Sequence, residues 1–165
     1  MRSLFKALAL TFLSSISSTF VTAETNTGHL DVPMFADGKL SSLAELSQGQ
    51  ASLLFFWSVN CSFCKKEMPA LNSLYDSYHQ DLRFLAINQD QDYKSLTQIK
   101  NYIEEYHLQA KVINDPKLYL SSYFKVPGTP TVILLNKEGY IVKKTHSQLN
   151  KLAVEIEQVI KDKQD

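Results

Sequence analysis

The stretch ASLLFFWSVNCSFCKKEM, residues 51–68, joins a run of apolar residues to the pair Cys61 and Cys64. The run from Ala51 to Trp57 is almost continuously apolar, which predicts a strand buried on both faces, as in a parallel sheet. After the cysteines, apolar side chains recur at helical spacing, at Met68, Leu71, Leu74, Tyr75 and Tyr78. We therefore predict a strand, a short loop and a helix that runs to about residue 79, with a kink at Pro69.

Cys61 and Cys64 are the only cysteines of the chain. A disulfide between residues three apart closes a very small loop and removes little entropy from the unfolded chain, so a purely structural bridge is a poor explanation. At a helix N-terminus, free N–H groups and the helix dipole favour a thiolate. We predict that Cys61 attacks a substrate disulfide and that Cys64, one turn later, resolves the mixed disulfide that forms. A zinc site needs four ligands, and the four histidines are scattered, so no metal is expected.

Residues 1–23 have the pattern of a secretory signal peptide. Arg2 and Lys6 give a charged start, an apolar stretch follows, and Val21-Thr22-Ala23 forms a small-residue cleavage site. The apolar stretch is shorter than the roughly 18–20 residues that a membrane-spanning helix needs. We expect an exported, soluble, periplasmic protein whose mature domain covers residues 24–165.

The mature segment has the size and charge of one ordinary globular domain. The whole chain has 17 basic and 17 acidic residues, and without Arg2 and Lys6 the balance is 15 to 17, a net charge of −2. Nothing in this balance indicates a nucleic acid partner. A chain of this length supports a single core, with little room for a dimerisation domain, so a monomer is expected.

Strands and helices alternate through the middle of the chain, which predicts an α/β fold with a mixed sheet. Further strands are predicted over residues 29–35, 82–87, 111–113, 131–135 and 140–144. Further helices are predicted over residues 41–46, 93–107, 115–124 and 149–161. The third of these is placed by Asp115 as N-cap and Pro116 at the first helical position.

Pro130 directly precedes an apolar strand, in the segment Val126-Pro127-Gly128-Thr129-Pro130-Thr131. A trans proline fits poorly at that point, and a cis Thr129–Pro130 bond would explain it. Because trans is the commoner isomer, the sequence leaves the isomer open.

Taken together, these residues resemble the thioredoxin-like proteins, and most of all the exported TlpA/ResA-type thiol-disulfide reductases. The resemblance covers about residues 30–160 and rests on five stretches: Asp37-Gly38-Lys39 with Leu43, Phe56-Trp57, Cys61 to Pro69, Gly128 to Thr131, and Asn136 to Val142. It implies a thioredoxin fold, with a mixed central sheet flanked by helices and a helix–strand insertion over residues 93–113. It also implies a cis Pro130 that faces the disulfide.

The resemblance also assigns roles to residues near the cysteines. Cys61, Cys64 and Glu67 are the expected catalytic residues, with Glu67 moving protons. The expected substrate contacts are Trp57, Asn60, Thr129 and Pro130. Asn60 stands where the family usually has Trp, and Phe55 stands where thioredoxin has a buried Asp, which leaves Glu67 as the nearby acid.

The expected activity is reduction of disulfides in exported proteins, without a cofactor and with electrons from a membrane donor. The resemblance makes cytochrome c maturation one plausible destination. The dipeptide Ser62-Phe63 lacks the histidine that strong oxidants often carry between their cysteines, which favours a reductase over a disulfide oxidase. A thiol peroxidase and a non-enzymatic binding module of the thioredoxin fold remain as alternatives. Ser58-Val59-Asn60-Cys61 resembles the peroxidase motif, but Leu54 stands in the place of its proline.

Overall fold

The computed structural model describes residues 33–36, 39–92 and 95–161, so the predicted signal peptide lies outside the described residues. The strands are β1 (Pro33–Ala36), β2 (Lys39–Ser42), β3 (Ala51–Trp57), β4 (Leu82–Asn88), β5 (Lys111–Asn114), β6 (Thr131–Leu135) and β7 (Ile141–Thr145). The helices are α1 (Leu43–Ser47), α2 (Ser62–Tyr78), α3 (Ser95–Glu105), α4 (Tyr119–Tyr123) and α5 (Ala153–Lys161), with a 3₁₀ turn at Leu149–Lys151. Within these segments, no helix has the length and apolar character needed to cross a membrane.

The seven strands form one mixed sheet in the order β2-β1-β5-β4-β3-β6-β7. The central strands β3, β4 and β5 are parallel to one another, and β6 joins β3 in the antiparallel direction. In the register of β3 and β4, Ala51 pairs with Leu82 and Trp57 with Asn88. The loops that follow Trp57 and Asn88 therefore leave the sheet at the same edge, and this arrangement positions the site.

Both faces of β3 are buried, as its apolar run predicts. Leu53, Phe55 and Trp57 belong to one core cluster, together with Met68 and Leu71 of α2. The intervening residues Leu54 and Phe56 belong to a second cluster on the other face, with Leu120 of α4 and Phe124, which follows that helix. The cysteine-bearing helix thus follows a strand whose seven residues are all buried, which gives the site a rigid base.

Several elements differ from the sequence predictions. The strand β2 is one that the sequence did not predict, whereas α2 ends at Tyr78, close to its predicted end at residue 79. The placement of Asp115 as an N-cap is wrong, because α4 begins only at Tyr119. The Leu118 N–H donates to the Asp115 carbonyl at 2.9 Å and closes a turn ahead of the helix. The last helix also starts later, since residues 149–151 form a separate 3₁₀ turn.

Candidate active site

Cys61 is the N-cap residue of α2. Its backbone is extended, with φ −82° and ψ 101°, and its Sγ accepts a hydrogen bond from the Cys64 N–H at 3.0 Å. The Cys61 carbonyl accepts the first helical hydrogen bond, from the Lys65 N–H at 3.3 Å. The sulfur thus occupies the position where a serine or aspartate oxygen usually caps a helix. A thiolate there would face a free N–H group and the positive end of the helix dipole, which both stabilise negative charge.

Cys61 and Cys64 are joined by a disulfide, and they differ in exposure. Cys61 is half-buried, whereas Cys64 is 0% exposed and lies in the core cluster under the helix. Of the two cysteines, Cys61 is therefore the one that a second polypeptide can contact. The roles of attacking cysteine for Cys61 and resolving cysteine for Cys64 stay predictions.

The turn before Cys61 is tied to the end of β4 by Asp90. The Asp90 carboxylate accepts hydrogen bonds from the Val59 N–H at 2.9 Å and from Asn88 Nδ2 at 2.7 Å. Asn88, which is completely buried, in turn accepts the Asp90 N–H at 3.1 Å. Sequence reasoning missed both residues. Their signal was a polar triplet, Asn88-Gln89-Asp90, directly after a buried parallel strand, since the carboxyl ends of parallel strands share an edge.

Glu67 lies on α2, one turn after Cys64, and its carboxylate is turned to a distant part of the chain. One oxygen accepts the Gln148 N–H at 3.1 Å and the other accepts the Leu149 N–H at 3.0 Å. We call residues 145–149 the β7–α5 corner. Both oxygens of Glu67 accept hydrogen bonds from this corner. The geometry therefore favours a structural role, in which Glu67 joins α2 to the β7–α5 corner, over the predicted proton transfer.

Trp57 does not line the surface of the site. Its side chain is 0% exposed, and its ring centroid lies 4.6 Å from that of Tyr102, which lies 4.5 Å from that of Tyr106. The predicted contact between Trp57 and substrate is therefore wrong, because no substrate can touch a completely buried ring. Burial raises the pKa of the Tyr102 hydroxyl, with smaller contributions from Tyr106 and Glu105.

The segment before β6 lies beside the β7–α5 corner. The Thr129–Pro130 peptide bond is cis. The buried Thr131 Oγ1 donates to the Gly128 carbonyl at 2.7 Å and lies 3.3 Å from Nδ1 of His146. Of the other predicted substrate contacts, Asn60 is exposed, Thr129 is half-buried and Pro130 is buried. Asn60 and Thr129 therefore remain accessible to a partner.

Most of the sequence matches known proteins. The model of the AhpC/TSA family matches residues 24–144. The chain belongs to the AhpC/TSA family. It is 30% identical over 120 residues to the thiol-disulfide oxidoreductase ResA of Bacillus cereus, covering 72% of this chain and 67% of that protein. It is 32% identical over 108 residues to ResA of Halalkalibacterium halodurans, covering 65% and 59%.

The fold of this AhpC/TSA family member is also found in solved structures. The exposed lipoprotein thioredoxin of Streptococcus pneumoniae superposes with a TM-score of 0.63 at 22% identity, covering 76% of this chain and 97% of that one. This likeness confirms the predicted thioredoxin-like fold.

On the side of α2, the surface around the cysteines carries aromatic and basic side chains. Phe63, between the cysteines, is 64% exposed, and the Lys66 ammonium lies 5.3 Å from its ring centroid. Lys65 is exposed as well. Among the described residues, no group of three or more His, Cys, Asp or Glu side chains is placed to hold a metal ion. The chemistry that these side chains themselves offer is thiol–disulfide exchange at Cys61.

Proposed function

We propose that this AhpC/TSA family protein is a thiol-disulfide oxidoreductase that reduces disulfides in other exported proteins. The observation that carries the proposal is the accessible Cys61 sulfur at the N-cap of α2, bonded to a buried Cys64. The similarity to two ResA proteins, which are thiol-disulfide oxidoreductases, supports the same activity.

The reaction starts from the reduced pair. The Cys61 thiolate attacks one sulfur of the substrate disulfide, forming a mixed disulfide and releasing the other substrate sulfur as a thiolate. The Cys64 thiolate then attacks Cys61 Sγ, forms the Cys61–Cys64 disulfide and releases the second substrate sulfur. The substrate gains two electrons and, in water, two protons, and the cysteine pair loses the same number. The disulfide form seen in the structure is the state that this reaction leaves.

The proposed setting is the periplasm, because residues 1–23 have the pattern of a signal peptide. The bacterial periplasm is kept oxidising without a thiol buffer, so no soluble pool there would return electrons to Cys61 and Cys64. A membrane protein that carries electrons outward is therefore the proposed donor. No cofactor is needed, and cytochrome c maturation is a plausible destination that the family resemblance suggests.

A thiol peroxidase activity has less support from the site. Leu54, at the position of the proline in the peroxidase motif, is buried within β3. Arg83, the only arginine among the described residues, pairs with Ser52 near the start of β3. At about 3.3 Å per residue, that position is about 16 Å from the end of the strand where the cysteines follow. No arginine of the described segments is therefore placed to bind a peroxide beside Cys61.

The proposal is tested with the variants Cys61→Ser and Cys64→Ser and with a disulfide-bonded protein such as insulin. Reduction of insulin should be lost in Cys61→Ser, whereas Cys64→Ser should accumulate a mixed disulfide through Cys61, because the resolving thiol is absent. The reduction potential of the pair, measured against glutathione or dithiothreitol, should be nearer to thioredoxin at about −270 mV than to DsbA at about −120 mV.

Different results would point to the alternatives. A reduction potential close to that of DsbA would mean that electrons flow from the substrate to the cysteine pair, and that the protein is a disulfide oxidase. Rapid consumption of hydrogen peroxide by the reduced protein, without turnover of insulin, would indicate a peroxidase. Full function in the double variant Cys61→Ser/Cys64→Ser would indicate a binding module.

A further inference from the structure

Three groups connect the β7–α5 corner to the segment before β6. His146 Nδ1 lies 3.3 Å from Thr131 Oγ1, and that hydroxyl donates to the Gly128 carbonyl at 2.7 Å. Thr131 is completely buried, whereas His146 is exposed. The contact therefore joins a surface side chain to a backbone carbonyl next to the cis Thr129–Pro130 bond.

The number of hydrogens on each group determines which group is the donor in these two hydrogen bonds. A threonine hydroxyl has one hydrogen and accepts through its lone pairs. Since the hydrogen of Thr131 is given to Gly128, the contact with His146 is a hydrogen bond only when Nδ1 carries a proton and donates. His146 thus holds Thr131 Oγ1 in the orientation in which it donates to the Gly128 carbonyl.

The corner that presents His146 is held in place by several bonds. Ser147 and Gln148 have positive φ angles of 85° and 73°, a conformation that non-glycine residues adopt only when their surroundings enforce it. Glu67 accepts the N–H groups of Gln148 and Leu149, and Thr145 Oγ1 donates to the Ser147 carbonyl at 3.1 Å. The position of His146 is thus fixed from α2, the helix that carries the cysteines.

We propose that His146 is a positioning residue for the substrate polypeptide, acting through Thr131 on the backbone of Gly128 and Thr129. This inference rests on the proposed reduction of protein disulfides. The backbone here is open to a partner, because a Cβ built on Gly128 would meet no atom within 4 Å. Phe56 of β3 pairs with Thr131 of β6 in the antiparallel direction, so Gly128 and Thr129 precede β6 at the end of the sheet where β3 leads to Cys61. An extended substrate chain can therefore approach Gly128 and Thr129 while its disulfide faces Cys61. A small disulfide has no such chain and gains nothing from His146.

The experiment compares His146→Leu with His146→Asn in the otherwise unchanged protein. Leu removes the donor, whereas the Asn amide can place an N–H close to the position of Nδ1. His79→Leu is the matched control, since His79 is an exposed histidine at the C-cap of α2, about 27 Å from Cys61 along the helix. The substrates are insulin and the small disulfide 5,5′-dithiobis(2-nitrobenzoic acid).

We expect His146→Leu to raise the KM for insulin about threefold to tenfold, the effect of one lost hydrogen bond, with little change in kcat. The rate with the small disulfide should equal that of the parent, His146→Asn should restore most of the KM, and His79→Leu should change neither substrate. Thr131→Val should raise the KM for insulin like His146→Leu, and the double variant should add little, because both remove one connected pair.

Other outcomes would overturn the proposal. An unchanged KM for insulin in His146→Leu would mean that the contact does not position substrate. An equal loss of activity with insulin and with the small disulfide would mean that His146 supports the redox centre itself. If the parent protein reduces neither substrate, the proposed function fails and the inference fails with it, a result distinct from an active parent with an unaffected variant.

Discussion

The structural role of the single residue Glu67 cannot be read from the residues next to it in the sequence. The residue follows Cys64 by three positions, and the resemblance to the thiol-disulfide reductases is the basis for predicting a proton-transfer role. Its hydrogen-bond partners are Gln148 and Leu149, which are 81 and 82 residues away in the chain. The cysteines could be assigned from their own spacing, but the role of Glu67 depends on a corner that only the folded chain brings to it.

We expect Glu67→Gln to lower the free energy of unfolding by about 1–2 kcal/mol, because an amide nitrogen cannot accept and one backbone N–H loses its partner. Urea denaturation followed by circular dichroism measures this change. Glu138→Gln is the control, since Glu138 makes an exposed contact of 3.8 Å with Lys137, and such pairs contribute little. Unchanged stability together with a shifted pH profile of Cys61 alkylation would instead support proton transfer by Glu67.

Trp57 and Tyr102 illustrate a second difference between sequence and structure at this scale. The motif correctly places Trp57 next to the cysteines along the chain. It does not reveal that α3 covers the ring, because that contact is made through Tyr102, 45 positions later in the sequence. Sequence proximity to a redox motif is therefore not a guide to exposure.

At the scale of elements, the turn between β3 and α2 depends on the end of β4. Asp90 accepts the Val59 N–H, and Asn88 orients Asp90 from a completely buried position. The sequence predicts β3, β4 and α2 well, because each has a long, regular apolar pattern. It does not predict the link between the two loops, since that link depends on the register of β3 and β4.

We expect Asp90→Ala to speed amide hydrogen exchange of Val59 about tenfold or more, because a bond from a backbone N–H to a carboxylate contributes about 1.5–3 kcal/mol. Exchange monitored by nuclear magnetic resonance measures the rate at this amide. Asp76→Ala, which removes a carboxylate that binds the exposed Gln109 side chain at 2.9 Å, should leave the Val59 rate unchanged. Equal rates in the parent and in Asp90→Ala would show that Asp90 does not hold the turn.

The start of α4 shows how a local pattern can be misread. Asp115-Pro116 is typical of a helix N-terminus, but these residues form a turn and the helix starts at Tyr119. The Asp115 carboxylate lies outside the helix but accepts hydrogen bonds from its first residues. It accepts from the N–H groups of Leu120 at 3.3 Å and Ser121 at 2.9 Å, and from the Ser121 hydroxyl at 2.8 Å.

We expect Asp115→Ala to destabilise the protein by about 2–4 kcal/mol, because a buried carboxylate with three donors is removed and those donors lose their partner. Asp115→Asn should cost less, since its one remaining oxygen can still accept. Urea denaturation of both variants gives the comparison. If the two variants are equally stable and match the parent, the three bonds contribute nothing net.

At the scale of the whole molecule, the centre of the sheet was predictable from the apolar runs at β3, β4 and β6. The edges were harder to predict. The unpredicted strand β2 has only four residues, Lys39–Ser42, and it is formed by pairing with β1 rather than by any pattern of its own. Short elements with few apolar residues depend on their neighbours, so sequence periodicity does not detect them.

The stability of the molecule at alkaline pH should depend on Tyr102. Burial raises the pKa of its hydroxyl above the ordinary value of 10. The unfolded chain therefore loses this proton at a lower pH than the folded protein does. The contribution of Tyr102 to stability is complete below about pH 10 and declines as the pH rises above that value.

We expect Tyr102→Phe to reduce the loss of stability between pH 9 and pH 11. At neutral pH it should cost less than about 1 kcal/mol, since the hydroxyl has no hydrogen-bond partner among the described residues. Urea denaturation at several pH values tests both statements. Tyr119→Phe, which alters an exposed ring, serves as control, and an identical alkaline decline in all three proteins would contradict the assignment.

The complete burial of Trp57 has a spectroscopic consequence. It is the only tryptophan of the chain, and it lies in the same core cluster as Cys64. All indole fluorescence of the protein therefore originates from a single, solvent-shielded emitter, in the core cluster that also contains one of the redox sulfurs. Because a disulfide quenches excited indole at short range, we expect opening and closing of the Cys61–Cys64 bond to change the emission intensity, which would make Trp57 an intrinsic optical reporter of the oxidation state.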